Sequence, residues 1–141
     1  MARPRLPLGL VYDTGALIAA EDNDRRMWAL HAQAIQRGVL PIVPAGCVVE
    51  AWRGGRQPNL ARLFAGCEIS PITGDDAKRA GALRRTVPDS VSAIDATVVE
   101  TAVRRGCAVA TSDRSDIEAL ASAARRSIQI IDRHRRVVDG G

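Results

Sequence analysis

Short apolar runs alternate with amphipathic stretches along most of this chain. Residues 8–12 are apolar apart from Gly9 and stop abruptly at Asp13, which predicts a strand followed by a helix over 14–20. Asp24 is placed to cap a second helix with an apolar stripe of Met27, Leu30, Ala34 and Ile35, ended by Gly38. Residues 40–43 predict a second strand. Pro44 suits a helix start, so 45–52 reads as a brief helix, broken by Gly54 and Gly55. A short helix over 59–65 and a weak strand over 67–71 follow. Thr73 then caps a helix to about residue 85, with Asp75 and Asp76 in its first turn, where the helix dipole favours acids. The clearest helix is 92–105: Ser92 is the N-cap, Arg104 and Arg105 sit at the C-terminal end, and Gly106 is the stop. A strand over 107–110, a helix over 116–124 and a last strand over 128–131 complete the pattern.

Strands separated by helices imply right-handed crossovers and a mainly parallel sheet, hence an α/β fold. With no repeat and no linker, residues 1–141 read as one domain with loose ends at about 1–7 and 133–141. In such folds ligands bind beyond the carboxyl ends of the strands, so the residues that follow each strand carry the functional interest.

Composition narrows the chemistry. A 46% hydrophobic content over 141 residues suffices for a core, and scarce aromatics leave Val, Ile, Leu and Ala to fill it. Net charge is +4, almost all of the positive charge being Arg, with Lys78 the sole lysine. That balance is compatible with nucleic acid and equally with an Arg-rich composition of no functional meaning. Cys47, Cys67 and Cys107 are far apart and form no CxxC pair, so they read as reduced thiols of a cytosolic protein rather than disulfides or zinc ligands. No apolar stretch approaches the roughly 20 residues of a membrane span, and no signal peptide is evident.

Acids occupy the places the fold singles out. Asp13 ends the first strand, and Asp113 follows the 107–110 strand after Thr111 and Ser112. Glu50 lies on the helix after the second strand, and Asp95 in the first turn of the 92–105 helix. Asp116, three residues past Asp113, can join the rim. Taken singly, Asp13, Asp113 and Asp116 are also good helix caps, and Asp95 resembles a capping-box partner of Ser92. Glu50 stands among Cys47, Val48, Val49, Ala51 and Trp52, neighbours that favour burial, so its carboxylate is expected to need a cation or donor. Together the acids suggest a hard divalent cation, which relieves carboxylate repulsion and can activate water and stabilise charge during phosphodiester cleavage. Thr14, Thr111 and Ser112 add candidate hydroxyl contacts, or are plain turn hydroxyls. Arg53, Arg56 and Arg114 flank the acids and are weak candidates for holding a nucleic-acid backbone.

Other chemistries fit less well. There is no GxxxxGK[ST] or GxGxxG loop, and neither His31 nor His134 has a Ser or Cys partner at a recognisable elbow. An aspartyl nucleophile at Asp13 lacks a second acid two residues on.

The runs Leu10-Val11-Tyr12-Asp13-Thr14-Gly15-Ala16-Leu17, Glu50, Ile94-Asp95-Ala96-Thr97-Val98-Val99-Glu100-Thr101-Ala102 and Ala110-Thr111-Ser112-Asp113-Arg114-Ser115-Asp116 resemble, in order and spacing, the PIN domain. Within it they resemble the VapC-type toxins of VapBC toxin–antitoxin pairs. The resemblance covers residues 8 to about 131. It implies a three-layer α/β/α sandwich, Mg²⁺ (or Mn²⁺) dependence and endonuclease action on single-stranded regions of RNA. It assigns metal binding to Asp13, Glu50, Asp95 and Asp113, with Asp116 as an auxiliary acid, to which the candidate hydroxyls of Thr14 and Thr111 are added as auxiliaries. It further implies a homodimer and a cognate antitoxin, for which Met27, Trp28, Leu30 and Trp52 offer apolar contact surface or, alternatively, core. Ile117 stands where the family often has an aromatic. An RNA-processing nuclease without toxicity, a metal-dependent phosphatase and a non-catalytic α/β binding module are the competing readings.

Overall fold

A computed structural model describes residues 8–132; the ends expected to be loose lie outside the described residues. Five strands, β1 (Gly9–Tyr12), β2 (Leu40–Pro44), β3 (Glu68–Ser70), β4 (Ala108–Thr111) and β5 (Ile130–Asp132), form one parallel sheet in the order β3-β2-β1-β4-β5. The central strands β1 and β4 are buried along their whole length, as unbroken apolar runs in a sheet covered on both faces should be.

The helices are α1 (Thr14–Glu21), α2 (Arg25–Gln36), α3 (Ala45–Ala51), α4 (Pro58–Ala65), α5 (Gly74–Leu83), α6 (Ala93–Arg105) and α7 (Arg114–Ala123). From β1 the chain moves outward through β2 to β3, then crosses back to β4 and β5 on the other side. Right-handed crossovers running in opposite directions place α1–α4 on one face and α5–α7 on the other. The result is the expected three-layer sandwich, with α1 packed on α3 and α4, and α6 on α5 and α7.

Local details depart from the pattern where tertiary contacts intervene. The buried stripe of α2 is Met27, His31 and Ala34, while Ile35 is half exposed. Positions 27, 31 and 34 follow the helical repeat toward the sheet, and residue 35 turns away from it. His31 is buried because Nδ1 is hydrogen-bonded at 2.8 Å to the hydroxyl of Tyr12, itself wholly buried on β1. Met27 is fully buried, and Trp28 and Leu30 pack against the core, Trp28 donating from Nε1 to the Ala20 carbonyl at 3.0 Å. Of the four expected apolar contact residues, only Trp52 is exposed, at 39%. The helix expected to reach residue 85 ends at Leu83 and tightens into a 3₁₀ turn over Arg84–Thr86. The helix expected from 116 begins at Arg114, and the last strand falls at Ile130–Asp132 rather than 128–131.

An ion cluster joins α5 to α6. Glu100, 5% exposed, accepts from Arg104 at 3.0 Å and Arg79 at 3.3 Å, and Asp76 pairs with both arginines. Asp76 also completes a capping box with Thr73. Arg105 clamps Glu68 of the edge strand β3 through both guanidinium nitrogens. All three cysteines are free thiols.

Candidate metal centre at the sheet's carboxyl edge

The strand order reverses between β1 and β4, which opens a crevice beyond their carboxyl ends. Asp13 closes β1 there. Its N–H donates to the Ala110 carbonyl of β4 at 3.3 Å, and its Oδ1 accepts from the Ala16 N–H at 2.8 Å, capping α1. The residue is 3% exposed. Capping and orientation are thus one interaction: the bond to α1 fixes the carboxyl group at the crevice.

Asp113 stands at the N-cap position of α7, yet its side chain makes no capping bond. The loop is held instead by the Thr111 hydroxyl, which accepts the Asp113 N–H at 2.8 Å. Thr111 is therefore committed to its turn, and the Asp113 carboxylate is left facing its acidic neighbours. Asp116 lies one turn along α7 on the same face. Asp95 enters from the neighbouring helix of the same layer, on the first turn of α6, where Ser92 accepts its N–H at 3.0 Å. Among the described residues, Asp95, Asp113 and Asp116 each offer a carboxylate oxygen, and these oxygens lie within 4.8 Å of one another.

Electrostatics records the crowding. Partial burial, then the carboxylate of Asp13, with smaller effects from Asp113 and Asp116, push the Asp95 carboxyl up to about 6 against the pull of the Ser92 hydroxyl. Asp116 is raised as well, by desolvation and by its bond to and repulsion from Asp113.

Glu50 corrects the expectation of burial. It is exposed, because α3 turns Gly46, Cys47 and Ala51 inward and leaves Val49 and Glu50 outward. Its Oε1 accepts from the Thr14 hydroxyl at 2.7 Å, so Glu50 is tied to the turn that carries Asp13 but stands outside the three-acid cluster. Cys47, one turn earlier and wholly buried, lies beneath the acids. Burial first, and then the charges of Asp13, Glu50 and Asp95, push its thiol up to about 12.

Two glycines let these elements approach. A Cβ on Gly46 would lie 2.8 Å from Ile94 Cδ1, so α3 packs closely on the start of α6 at residue 46, and a side chain there would make the end of Ile94 shift. A Cβ on Gly15 would lie 2.6 Å from Ser112 Oγ, which places Ser112 over the start of α1.

The donor set suits a hard divalent cation. Every facing group is a carboxylate, the oxygens are close enough to share an ion, and the Asp95 carboxyl is raised by burial and then by its acidic neighbours, both of which a dication would offset. Asp116, read from sequence as an auxiliary, stands within the cluster; its spacing of three from Asp113 was the available signal. Arg114 is occupied by Glu118 at 2.7 Å, whereas Arg53 and Arg56 have no carboxylate partner among the described residues.

The PIN domain family matches residues 10–123. In fold the chain is similar to a chain of FitAB bound to an IR36 DNA fragment, with 20% identity and a TM-score of 0.64 over 93% of this chain and 99% of that one. It is similar to a chain of a toxin–antitoxin complex from Klebsiella pneumoniae, with 17% identity and a TM-score of 0.64 over 91% and 100% of the two chains. A third similar chain belongs to VapBC2 from Rickettsia felis bound to a DNA fragment from their promoter, with 10% identity and a TM-score of 0.63 over 87% and 97%. No curated protein matches the sequence. At these identities the structural likeness is one of fold, but the family match spans most of the chain, and the chain belongs to the PIN domain family.

Proposed function

We propose that this protein is a divalent-metal-dependent endoribonuclease that acts as the toxin of a toxin–antitoxin pair. The observation that carries the nuclease reading is the convergence of Asp95, Asp113 and Asp116 beside Asp13 at the switch point of a parallel sheet. Asp13, Asp95, Asp113 and Asp116 would hold Mg²⁺ or Mn²⁺, with Glu50 at the rim, oriented by Thr14. A bound ion supplies Lewis acidity toward the phosphodiester and lowers the pKa of water. The chain's own residues supply orientation. The α1 N-terminus fixes Asp13, and Ser92 and Thr111 fix the backbones that carry Asp95 and Asp113.

The toxin role and the antitoxin partner are supported by the toxin–antitoxin complexes among the similar folds. Ile18 at 50% and Val49 at 76% exposure, on the mutually packed α1 and α3, offer apolar surface to such a partner. A homodimer and a cytoplasmic location complete the reading; among the described residues no helix is long and apolar enough to cross a membrane.

Purified protein should cleave RNA in Mg²⁺ or Mn²⁺ and stop in EDTA. Asp13→Ala should lower cleavage by more than about a hundredfold, since loss of a ligand exceeds loss of an outer-shell partner. Undiminished cleavage by that variant, with a wild-type circular dichroism spectrum, would sink the proposed site. Sequencing the RNA ends after induced expression would then identify the target.

A further inference from the structure

The loop between α3 and α4 is not accounted for by the metal centre. It reads Trp52-Arg53-Gly54-Gly55-Arg56-Gln57 and starts two residues after Glu50, within about 7.6 Å of it by Cα spacing. Its shape is built. The Gln57 side chain donates to the Ala51 carbonyl at 2.9 Å and accepts the Arg53 N–H at 2.7 Å, closing the loop on itself. Gly54 adopts φ +74, and no atom approaches the place of its missing Cβ. The closed loop displays two cations: Arg53 and Arg56 are exposed and form no ion pair among the described residues, in contrast to the paired Arg79, Arg104, Arg105 and Arg114. Beside them Trp52 packs against Phe64, with ring centroids 6.0 Å apart, yet keeps 39% of its surface exposed.

Guanidiniums without an ion pair, one of them (Arg53) donating from Nη1 to the Trp52 carbonyl at 3.5 Å, beside an exposed indole on a loop already ordered match what a nucleic-acid strand needs: phosphate contacts and a stacking platform. Stacking requires a base not engaged in a duplex. An apolar protein segment would use Trp52 but gain little from two exposed cations. Resting on the nuclease reading above, we propose that the 52–57 loop, which follows α3 and its rim residue Glu50, binds single-stranded RNA, with Arg53 and Arg56 on the backbone and Trp52 stacked on a base.

The test is fluorescence anisotropy of the full chain with a labelled single-stranded RNA of about 12 nucleotides. It is run in EDTA, so that hydrolysis plays no part in the readout. Arg53→Ala/Arg56→Ala should weaken binding about tenfold or more and reduce the slope of log K against log salt by about 1.4, two phosphates' worth for a single strand. Trp52→Ala should cost about tenfold, Trp52→Phe should restore most of it, and the salt slope should hold in both. Duplex RNA of the same sequence should bind more weakly and ignore the Trp52 changes. Unchanged affinity and slope in the double-arginine variant, with an unaltered circular dichroism spectrum, overturns the proposal. Wild-type cleavage in Mg²⁺ is scored separately. Failure there with loop-dependent binding intact defeats the nuclease reading and leaves the strand site; cleavage with loop-independent binding does the reverse.

Discussion

At the scale of single residues, the acids divide by what their surroundings do to charge. Among the ligand candidates named from sequence, Asp95 has its carboxyl raised by its surroundings. Its folded-state carboxyl lies above its unfolded value, so its contribution to stability is favourable below the unfolded value and is lost as pH rises through about 6. In EDTA at pH 7, Asp95→Asn should therefore stabilise the metal-free protein by about 1–2 kcal/mol, the shift being halved for solvent screening. The gain should vanish below about pH 4, where the carboxyl is protonated in both states. Urea titrations at the two pH values measure it. The same variant should lose any rise in melting temperature that Mg²⁺ gives the wild type, because stabilisation by mass action needs the ligand. Glu50 shows how far local composition can mislead. Its apolar neighbours correctly indicate a partly buried helix, but which face a given position occupies depends on how α3 is rotated against α1 and α6. That rotation is a tertiary property.

At the scale of elements, the approach of α3 to α6 decides how near the rim residue Glu50 stands to Asp95, since one helix carries each. Gly46 permits it. In an isolated helix Gly46→Ala would gain about 0.5–1 kcal/mol. Here the new methyl meets Ile94 Cδ1, and overpacking of that kind costs about 1–3 kcal/mol. A net loss of about 1–2 kcal/mol is expected in urea unfolding. In an Ile94→Val background, where the obstructing methyl is gone, the same substitution should be neutral or stabilising. The element ends were mostly legible: Ser92, Thr73, Asp24 and Gly106 each do what their side chain or its absence dictates. The start of α4 was not. Its Leu60 N–H is met by Glu21 Oε2 at 2.6 Å, from a residue 39 positions earlier. The N-terminus of α7 was legible only in part. Asp113 has the right residue type to cap, yet the Thr111 hydroxyl holds the turn, and the carboxylate is left for the cluster.

At the scale of the whole molecule, acid should act on the fold through groups far from the site. Asp76 is held below the usual carboxylate range chiefly by the Thr73 backbone, and Glu68 chiefly by its bond from Arg105. Both therefore contribute stability present above their unfolded values and lost as pH falls through the lower, folded ones. Unfolding midpoints should fall below about pH 4. In Asp76→Asn/Glu68→Gln the midpoint should start lower at pH 7 and converge on the wild type as pH falls through the lowered folded-state values, which a chemical denaturation series would record. The sequence by itself determined the alternation of strands and helices, the parallel α/β class, most caps and the residue types of the site. Those follow from hydrophobic period and local backbone chemistry, which act over a few residues. Only the tertiary structure decided which acids meet. Asp95 and Asp113 come from the two helices that flank β4, Asp116 moves from the rim into the cluster, and Glu50 moves out to the surface. The packing of helices over the sheet sets those distances, and it sums contacts that no local stretch of sequence contains.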